Sequence, residues 1–225
     1  MSLLVTARSD FRRSIEESDI FFVQETHLRP DQRDMVRSFE GYDSFSMSRK
    51  MPDGQDTYGG VYALARKSLN AKLDAERSSP DILVLRVGNM HFINAYVAGD
   101  HSSASRHFAD WQALHPWDTF SVLIREMSDA GMAFSVHGDL NGRSGALCPD
   151  HPEHPPRIVE DLVVNAQGRK LAKFREDNNL RMANGCTTIP GDHHKFTFFG
   201  RVDDSTNEGK STVDYGALNL FTTNC

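Results

Sequence analysis

An aspartate and an asparagine one residue apart follow an apolar run in the second half of the chain. Met132 to Val136 is predicted to form a short buried strand, and Gly138-Asp139-Leu140-Asn141 follows it. Residues two apart on an extended chain point the same way, so Asp139 and Asn141 can face one site. A carboxylate that binds metal or acts as a base, beside an amide, suits metal-assisted attack on a phosphodiester. The alternative is an Asx-type turn after the strand.

Two other segments place an acid at the end or the start of a strand. A strand predicted over residues 20–23 runs into Gln24-Glu25-Thr26-His27-Leu28. Near the other end, an aspartate is predicted to lie at the start of a strand: Asp214 in Ser211-Thr212-Val213-Asp214-Tyr215. Each acid also has a simpler interpretation: Glu25 as a surface acid at a strand end, and Asp214 as a strand-entry acid satisfied by nearby backbone.

The rest of the chain predicts helices and strands that would position these side chains. Helical spacing covers residues 3–17, 30–39, 117–130 and 168–177, and strand patterns cover 59–65, 81–87 and 91–97. Gly88-Asn89 is a hairpin signal between the last two strands. Residues 148–156 and 202–210 are predicted as exposed loops. Alternating strands and helices mixed with hairpins favour an α/β fold with two mixed β-sheets.

Composition sets limits on the class of protein. The 225 residues fit one α/β domain spanning positions 1–225, and 39% of them are apolar. No apolar run approaches the roughly 20 residues of a membrane span, and we expect no membrane association and no signal peptide. Three cysteines, an odd number, favour a reducing intracellular location, nuclear or cytoplasmic. The net charge of -6 gives no support to nucleic-acid binding, although bound Mg²⁺ would offset some acids.

Three motifs in a fixed order carry a family resemblance. They are Gln-Glu-Thr-His-Leu at 24–28, Gly-Asp-Leu-Asn-Gly-Arg at 138–143, and Thr197-Phe198-Phe199 followed by Ser-Thr-Val-Asp-Tyr at 211–215. Together these motifs resemble the endonuclease/exonuclease/phosphatase superfamily. The similarity is greatest to the apurinic-type endonuclease domains of non-LTR retrotransposons and runs from about Leu3 to Leu218. It implies a four-layer α/β/β/α sandwich of two mixed β-sheets, with the site at one edge.

The resemblance also implies a reaction and its partners. It implies an Mg²⁺-dependent DNA endonuclease, with Mn²⁺ as an alternative ion and a reverse transcriptase fused or associated in the parent gene. Glu25 corresponds to the metal ligand, and Mg²⁺ needs only one or two protein carboxylates. Asp139 corresponds to a second metal ligand that orients and deprotonates the attacking water. Asn141 corresponds to the residue that holds the same phosphate or metal.

Four further residues have counterparts in the family or flank its motifs. Tyr96 corresponds to a tyrosine whose hydroxyl contacts the scissile phosphate, although a strand tyrosine is often a core residue. Asp214 corresponds to an acid near the phosphate that helps orient a catalytic histidine. Arg143 and Thr197 are expected to shape the site floor and touch nucleic acid. Ala98-Gly99 stands where the family often has Pro-Asn, which removes one expected phosphate contact.

The chain also departs from the family pattern at both ends. The family opens with a strand ending in a metal-binding asparagine and closes with a strand bearing Asp-His, and neither has a counterpart here. We therefore expect a partial domain that lacks the first and last strands. Two alternatives follow: an inactive remnant of the endonuclease, or a phosphatase of the same superfamily acting on inositol phosphates or lipids.

Two other patterns are rejected as functional motifs. Gly209-Lys210-Ser211 resembles the end of a phosphate-binding P-loop, but Asp204 stands where that motif needs glycine. Cys148, His151 and His154 lie close together in sequence without a fourth ligand at zinc-finger spacing, so a solvated loop is the preferred interpretation.

Overall fold

The computed structural model describes residues 9–28, 39–48, 59–99, 116–147, 157–184, 198–199, 210–211 and 214–219. The helices in those ranges are α1 (Ser9–Glu16), α2 (Pro116–Asp129) and α3 (Ala166–Asp177). The strands are β1 (Ile20–Val23), β2 (Tyr42–Met47), β3 (Val61–Arg66), β4 (Lys72–Leu73), β5 (Ile82–Val87), β6 (Met90–Tyr96), β7 (Ala133–Asp139), β8 (Leu180–Met182), β9 (Phe198–Phe199), β10 (Lys210–Ser211) and β11 (Asp214–Asn219). Backbone contacts group the chain into two compact units, Met1–Tyr96 and Val97–Cys225.

The first unit contains a three-stranded antiparallel sheet covered by a helix. Its order is β1-β3-β2, with Phe22 opposite Ala63 in one pair of strands. Helix α1 buries Ile15 against Tyr42, Tyr62 and Leu64 of this sheet. Arg12, Arg13 and Glu16 of α1 remain exposed, because a short amphipathic helix gains stability from the apolar side it buries.

A second antiparallel sheet, β4-β5-β6, packs on the first within the same unit. Strand β3 contacts both β5 and β6, and residues 61–65 and 82–85 are buried. Burial on both faces explains why these strands are continuous apolar runs without alternation. The Gly88-Asn89 turn joins β5 to β6 as predicted, with Val87 paired to Met90.

The second unit combines an antiparallel ladder with two helices. Strand β11 lies between β7 and β8, and α2 and α3 contact β7 and β8 respectively. The rings of Trp117, Phe120 and Phe174 form the contact between the helices, with the two phenylalanine centroids 4.8 Å apart. Strands β9 and β10 pair as a short antiparallel ribbon.

The predicted elements agree with these bounds where the structure describes them. The first helix begins at Ser9 in the described part of the chain, and β7 extends three residues beyond the predicted end, to Asp139. Of the helix predicted over 30–39, residues 30–38 lie outside the described residues and Phe39 is not helical; most of both predicted loops also lie outside them. None of the described helices is long and apolar enough to cross a membrane.

Candidate active site

Glu25 lies just beyond β1, in a backbone segment with an unusual conformation. Glu25 has φ of 51° and His27 has φ of 50°, values in the left-handed region that L residues with side chains seldom adopt. Backbone hydrogen bonds from Thr26 N to Gly60 O (3.1 Å) and from His27 N to Gly59 O (3.0 Å) hold the segment in place. Such conformations persist where surrounding contacts determine them, and they concentrate at functional sites.

Gly59 and Gly60 make this arrangement possible. Both are buried and have positive φ, 65° and 85°. A Cβ atom on Gly60 would lie 2.7 Å from Thr26 Oγ1, and one on Gly59 would overlap the Asp81 carboxylate. The strand pattern over residues 59–65 predicts this pair only as the start of a strand, whereas the Gly-Gly dipeptide also signals a close backbone approach.

Tyr96 meets Glu25 in the same unit. The Tyr96 hydroxyl donates a hydrogen bond to Glu25 Oε1, although 71 residues separate the two in sequence. Tyr96 is 4% exposed, whereas Glu25 is exposed. The core interpretation of Tyr96 is therefore correct for its ring, while its hydroxyl reaches a predicted metal ligand. Its contact with a scissile phosphate stays a prediction.

A buried amide pair supports the start of the Glu25 segment. Asn94, fully buried on β6, accepts a hydrogen bond from Gln24 Nε2 at 2.6 Å. Its Nδ2 group lies 3.1 Å from Val23 O and 3.2 Å from Tyr62 O, and donates to both. Asn94 thus ties the residues before Glu25 to β3. This role of Asn94 is not predicted from the sequence, because an asparagine within an apolar strand gives no sign of its partners.

Asp139 and Asn141 come together, but not through an extended chain. Asp139 ends β7, and Asn141 has φ of 49°, so the expectation that both continue an extended strand is wrong. The Asn141 N–H donates to Asp139 Oδ1 at 2.8 Å, which is the Asx-type turn weighed as the alternative. The Asn141 side chain donates to Val97 O at 3.0 Å. The turn keeps the two polar groups adjacent by a different geometry.

Asp214 lies opposite Asp139 in the β-ladder. Strand β11 begins at Asp214, and its Cα partner on β7 is Asp139. Asp214 and Tyr215 of one motif therefore pair with Asp139 and Gly138 of the other at one end of the same strand pair. The sequence motifs predicted that the two acids lie close together, and the register of β7 and β11 places Asp139 directly opposite Asp214.

Arg143 is bound to an acid that the sequence analysis did not consider. Its Nε lies 2.9 Å from Asp161 Oδ2 and its Nη2 lies 2.7 Å from Asp161 Oδ1. Asp161 is 4% exposed, so this is a partly buried bidentate ion pair. A nucleic-acid contact by Arg143 stays a prediction. Thr197 lies outside the described residues.

His137 precedes Asp139 by two positions on β7 and is uncharged at neutral pH. Burial lowers the pKa of the His137 imidazole to about 4. Its Nε2 lies 3.0 Å from Ser135 Oγ, which gives the ring a polar partner. At neutral pH, His137 therefore adds no positive charge to the strand that carries Asp139.

The residues present fit a hard divalent cation. Glu25 presents an exposed carboxylate, the kind of hard oxygen ligand that Mg²⁺ prefers. The Tyr96 hydroxyl orients one of the two carboxylate oxygens. Within the described ranges, no group of three or more His, Cys, Asp or Glu side chains could hold a metal ion. A magnesium site does not need one, because Mg²⁺ keeps several waters and uses few protein ligands.

Comparisons with known proteins give matches among solved structures only. No protein-family model and no curated protein sequence matches this chain. The AP endonuclease LMAP from Leishmania major matches with a TM-score of 0.63 and 12% identity, over 93% of this chain and 72% of that one. The endonuclease domain of TRAS1, a telomere-specific non-LTR retrotransposon, matches with a TM-score of 0.56 and 15% identity, over 94% and 77%.

A third match is to NExo from Neisseria, a 3' phosphatase solved with a product DNA hairpin. Its TM-score is 0.57 at 15% identity, over 94% of this chain and 80% of that one. Each match extends over nearly the whole chain, and at 12–15% identity it establishes the fold alone. The chain therefore shares the mixed α/β fold of these three proteins, which is the fold class that the motifs of the sequence implied.

Proposed function

We propose that this chain is a divalent-metal-dependent phosphodiester hydrolase of the retroelement endonuclease type, with DNA as its substrate. The observation that carries the proposal is the meeting of Asp139, Asn141 and Asp214 at one end of the β7–β11 ladder. The Glu25–Tyr96 hydrogen bond adds a carboxylate held by a neighbouring hydroxyl. These are the residue types that hydrolysis of a phosphodiester with a metal ion requires.

The structural neighbours support DNA as the substrate. NExo is described as a 3' phosphatase bound to product DNA and as a 3'-5' exonuclease, and TRAS1 and LMAP as endonucleases. Among these neighbours, TRAS1 is the retrotransposon domain, and the sequence motifs resemble the same class. A reverse transcriptase encoded with this chain is part of the proposal.

In the proposed reaction each residue has a defined task. Glu25 would hold Mg²⁺ or Mn²⁺, and the bound ion would supply positive charge that stabilises the negative charge developing on the phosphate. Asp139 accepts the proton of the attacking water while a new P–O bond forms and one ester P–O bond breaks, and the leaving oxygen takes a proton from solvent. Asn141 orients the phosphate, and the hydrogen bond from its N–H fixes the Asp139 carboxylate. Asp214 contributes a second acid at the same end of the ladder.

Nicking of supercoiled plasmid DNA tests this proposal. We expect relaxed circles to form with Mg²⁺ and not with excess EDTA. Asp139→Asn and Glu25→Gln should each reduce the rate by at least about 100-fold, because each change removes the charge of the base or of the metal ligand while it keeps an oxygen for the hydrogen bond. Asp129→Asn is the matched control: it removes an exposed acid at the end of α2 and should nick at the wild-type rate.

Two results would contradict the proposal. Nicking that persists in EDTA, or that Asp139→Asn leaves intact, excludes this mechanism. A folded wild-type protein without nicking above background would favour the inactive remnant.

A panel of substrates separates the activities known for this fold. Plasmid, abasic duplex, duplex with a 3' phosphate and a phosphoinositide are compared at equal enzyme concentration. The 3' phosphatase activity of NExo makes the 3'-phosphate duplex a specific second candidate. Release of phosphate from the phosphoinositide alone would support the lipid or inositol phosphatase and overturn DNA as the substrate.

A further inference from the structure

The loop after β7 is held by a single asparagine at the start of α3. Asn165 N donates to Arg143 O at 3.0 Å. Asn165 Oδ1 accepts from Arg143 N at 3.0 Å, and its Nδ2 group donates to Asn141 O at 3.3 Å. The same Oδ1 also accepts from Gly168 N at 2.7 Å, so Asn165 is the N-cap of α3. One side chain therefore binds both the loop and the helix terminus.

An ion pair and a close backbone contact reinforce this attachment. Asp161 accepts both guanidinium hydrogen bonds of Arg143 and also accepts from Val163 N at 3.1 Å. Gly168 lies so close to Arg143 that a Cβ atom would overlap the Arg143 carbonyl. Because few backbone positions satisfy all these contacts, residues 141–143 have little freedom to move away from α3.

We infer that Asn165 is a positioning residue for the proposed reaction: it fixes the loop that places Asn141 and the Asp139 carboxylate. The inference rests on the proposed function. Asn165 acts through the backbone of residues 141 and 143 and touches no reacting atom. Arg143 and Asp161 serve the same task, and this support of the loop is a role for Arg143 in addition to the nucleic-acid contact that stays a prediction.

The inference follows from the geometry of the Asp139–Asn141 turn. The Asp139 carboxylate accepts a hydrogen bond from Asn141 N, and Asn165 holds the carbonyl of that same residue. A shift of the Asn141 backbone therefore changes the orientation of the proposed base. Displacements of about 1 Å at a reacting group can reduce rates by about 100-fold, so a loop held before substrate arrives favours catalysis.

Asn165→Asp separates positioning from stability. Aspartate keeps the oxygen that accepts from Gly168 N and Arg143 N, and a negative charge at a helix N-terminus is favourable. Aspartate lacks the Nδ2 group that donates to Asn141 O and places a carboxylate oxygen in that position. We expect a melting temperature within about 3 °C of wild type and a kcat for nicking about 10-fold to 100-fold lower, at unchanged KM. Asn165→Ala should lose both the cap and the loop contacts.

Asn178→Ala is the matched control at the other end of the same helix. Asn178 Nδ2 donates to Phe174 O at 2.8 Å and contacts neither Asn141 nor Arg143. We expect it to lower the melting temperature by a few degrees, less than Asn165→Ala, while kcat stays at the wild-type value. Equal kcat losses in the two alanine variants would show a purely structural role for Asn165 and overturn the inference.

Amide hydrogen exchange of the peptide 139–145 gives a readout that does not depend on activity. Asn165→Asp should speed exchange in this peptide at least about 10-fold, since a weakened contact opens the loop more often, and Asn178→Ala should not. Unchanged exchange with unchanged kcat overturns the inference. If wild type does not nick DNA, the proposed function fails, and the exchange data alone then decide whether Asn165 holds the loop.

Discussion

The Tyr96 hydroxyl donates its hydrogen bond to Glu25 Oε1, which joins the end of β6 to the segment that follows β1. The phenol lies in the core while the carboxylate reaches solvent. A buried hydroxyl can orient one oxygen of an exposed carboxylate without itself contacting a metal ion that the carboxylate binds. Outer partners of this kind commonly change metal affinity by about 10-fold to 100-fold.

Tyr96→Phe should therefore raise the Mg²⁺ concentration needed for half-maximal nicking by at least about 10-fold, while the maximal rate changes less. A titration of nicking against Mg²⁺ measures this. Tyr42→Phe is the control, because the Tyr42 hydroxyl donates to Ile15 O at 2.8 Å and to Ser18 O at 2.9 Å at the end of α1. It should lower the melting temperature without changing the Mg²⁺ requirement. Equal Mg²⁺ titrations for Tyr96→Phe and wild type would show that the hydroxyl does not support the ligand.

Substitution of Asn94 tests the buried amide pair. Asn94→Leu leaves Gln24 Nε2 and the carbonyls of Val23 and Tyr62 without this partner, so we expect the free energy of unfolding to fall by at least about 2 kcal/mol. Asn94→Asp should be less stable than Asn94→Leu at pH 7, since it buries a charge, and its loss of stability relative to wild type at the same pH should shrink as the pH is lowered toward 5. Urea unfolding at the two pH values measures both. An Asn94→Asp variant as stable as wild type at pH 7 would contradict the buried geometry.

Gly168→Ala tests the contact between α3 and the loop. In an open helix position this change stabilises by about 1 kcal/mol. Here the new Cβ would overlap the Arg143 carbonyl, so we expect a loss of stability of about 1–3 kcal/mol instead. Gly88→Ala is the comparison: its Cβ meets nothing within 4 Å, and only its φ of 57° opposes the change. That variant should lose about 1 kcal/mol. Stabilisation by Gly168→Ala in thermal unfolding would exclude the close contact.

The pKa of His137 predicts how stability changes with pH. The folded protein holds this pKa at about 4, below the usual 6.5, so protonation favours the unfolded chain. The contribution is complete above about pH 6.5 and is lost as the pH falls toward 4, by about 3 kcal/mol in total. His137→Gln keeps a polar partner for Ser135 and should lose less stability over this range. Urea unfolding of metal-free protein from pH 7.5 to 4 measures the difference, and parallel pH curves for the two proteins would refute the assignment.

The sequence predicted most of the regular elements because their causes are local. Apolar runs of four to seven residues gave β1, β5 and β6, and helical spacing gave α2 and α3, with boundaries close to the observed ones. The hairpin at Gly88-Asn89 depends on a turn that those two residues specify by themselves. The motifs around Glu25, Asp139 and Asp214 carried the family resemblance, and through it the fold.

The extended geometry assigned to Asp139 and Asn141 failed for a physical reason. Periodicity describes a strand only while the strand continues, and the left-handed conformation of Asn141 ends it. The hydrogen bond between the two residues was foreseen only as the alternative to a functional pair. A turn of this kind and a catalytic role are compatible, and the pattern of residue types cannot separate them.

By itself the sequence determined the residue types, the order of the motifs and the local elements that bear them. Tertiary structure decided the partners: Tyr96 for Glu25, Asn94 for Gln24, and Asn165 and Asp161 for the loop after β7. These side chains come from distant positions, and a hydrogen-bonding group has no sequence signature of the group it will meet. Their pairing depends on strand register and on the close packing of α3, which arise only when the whole chain folds.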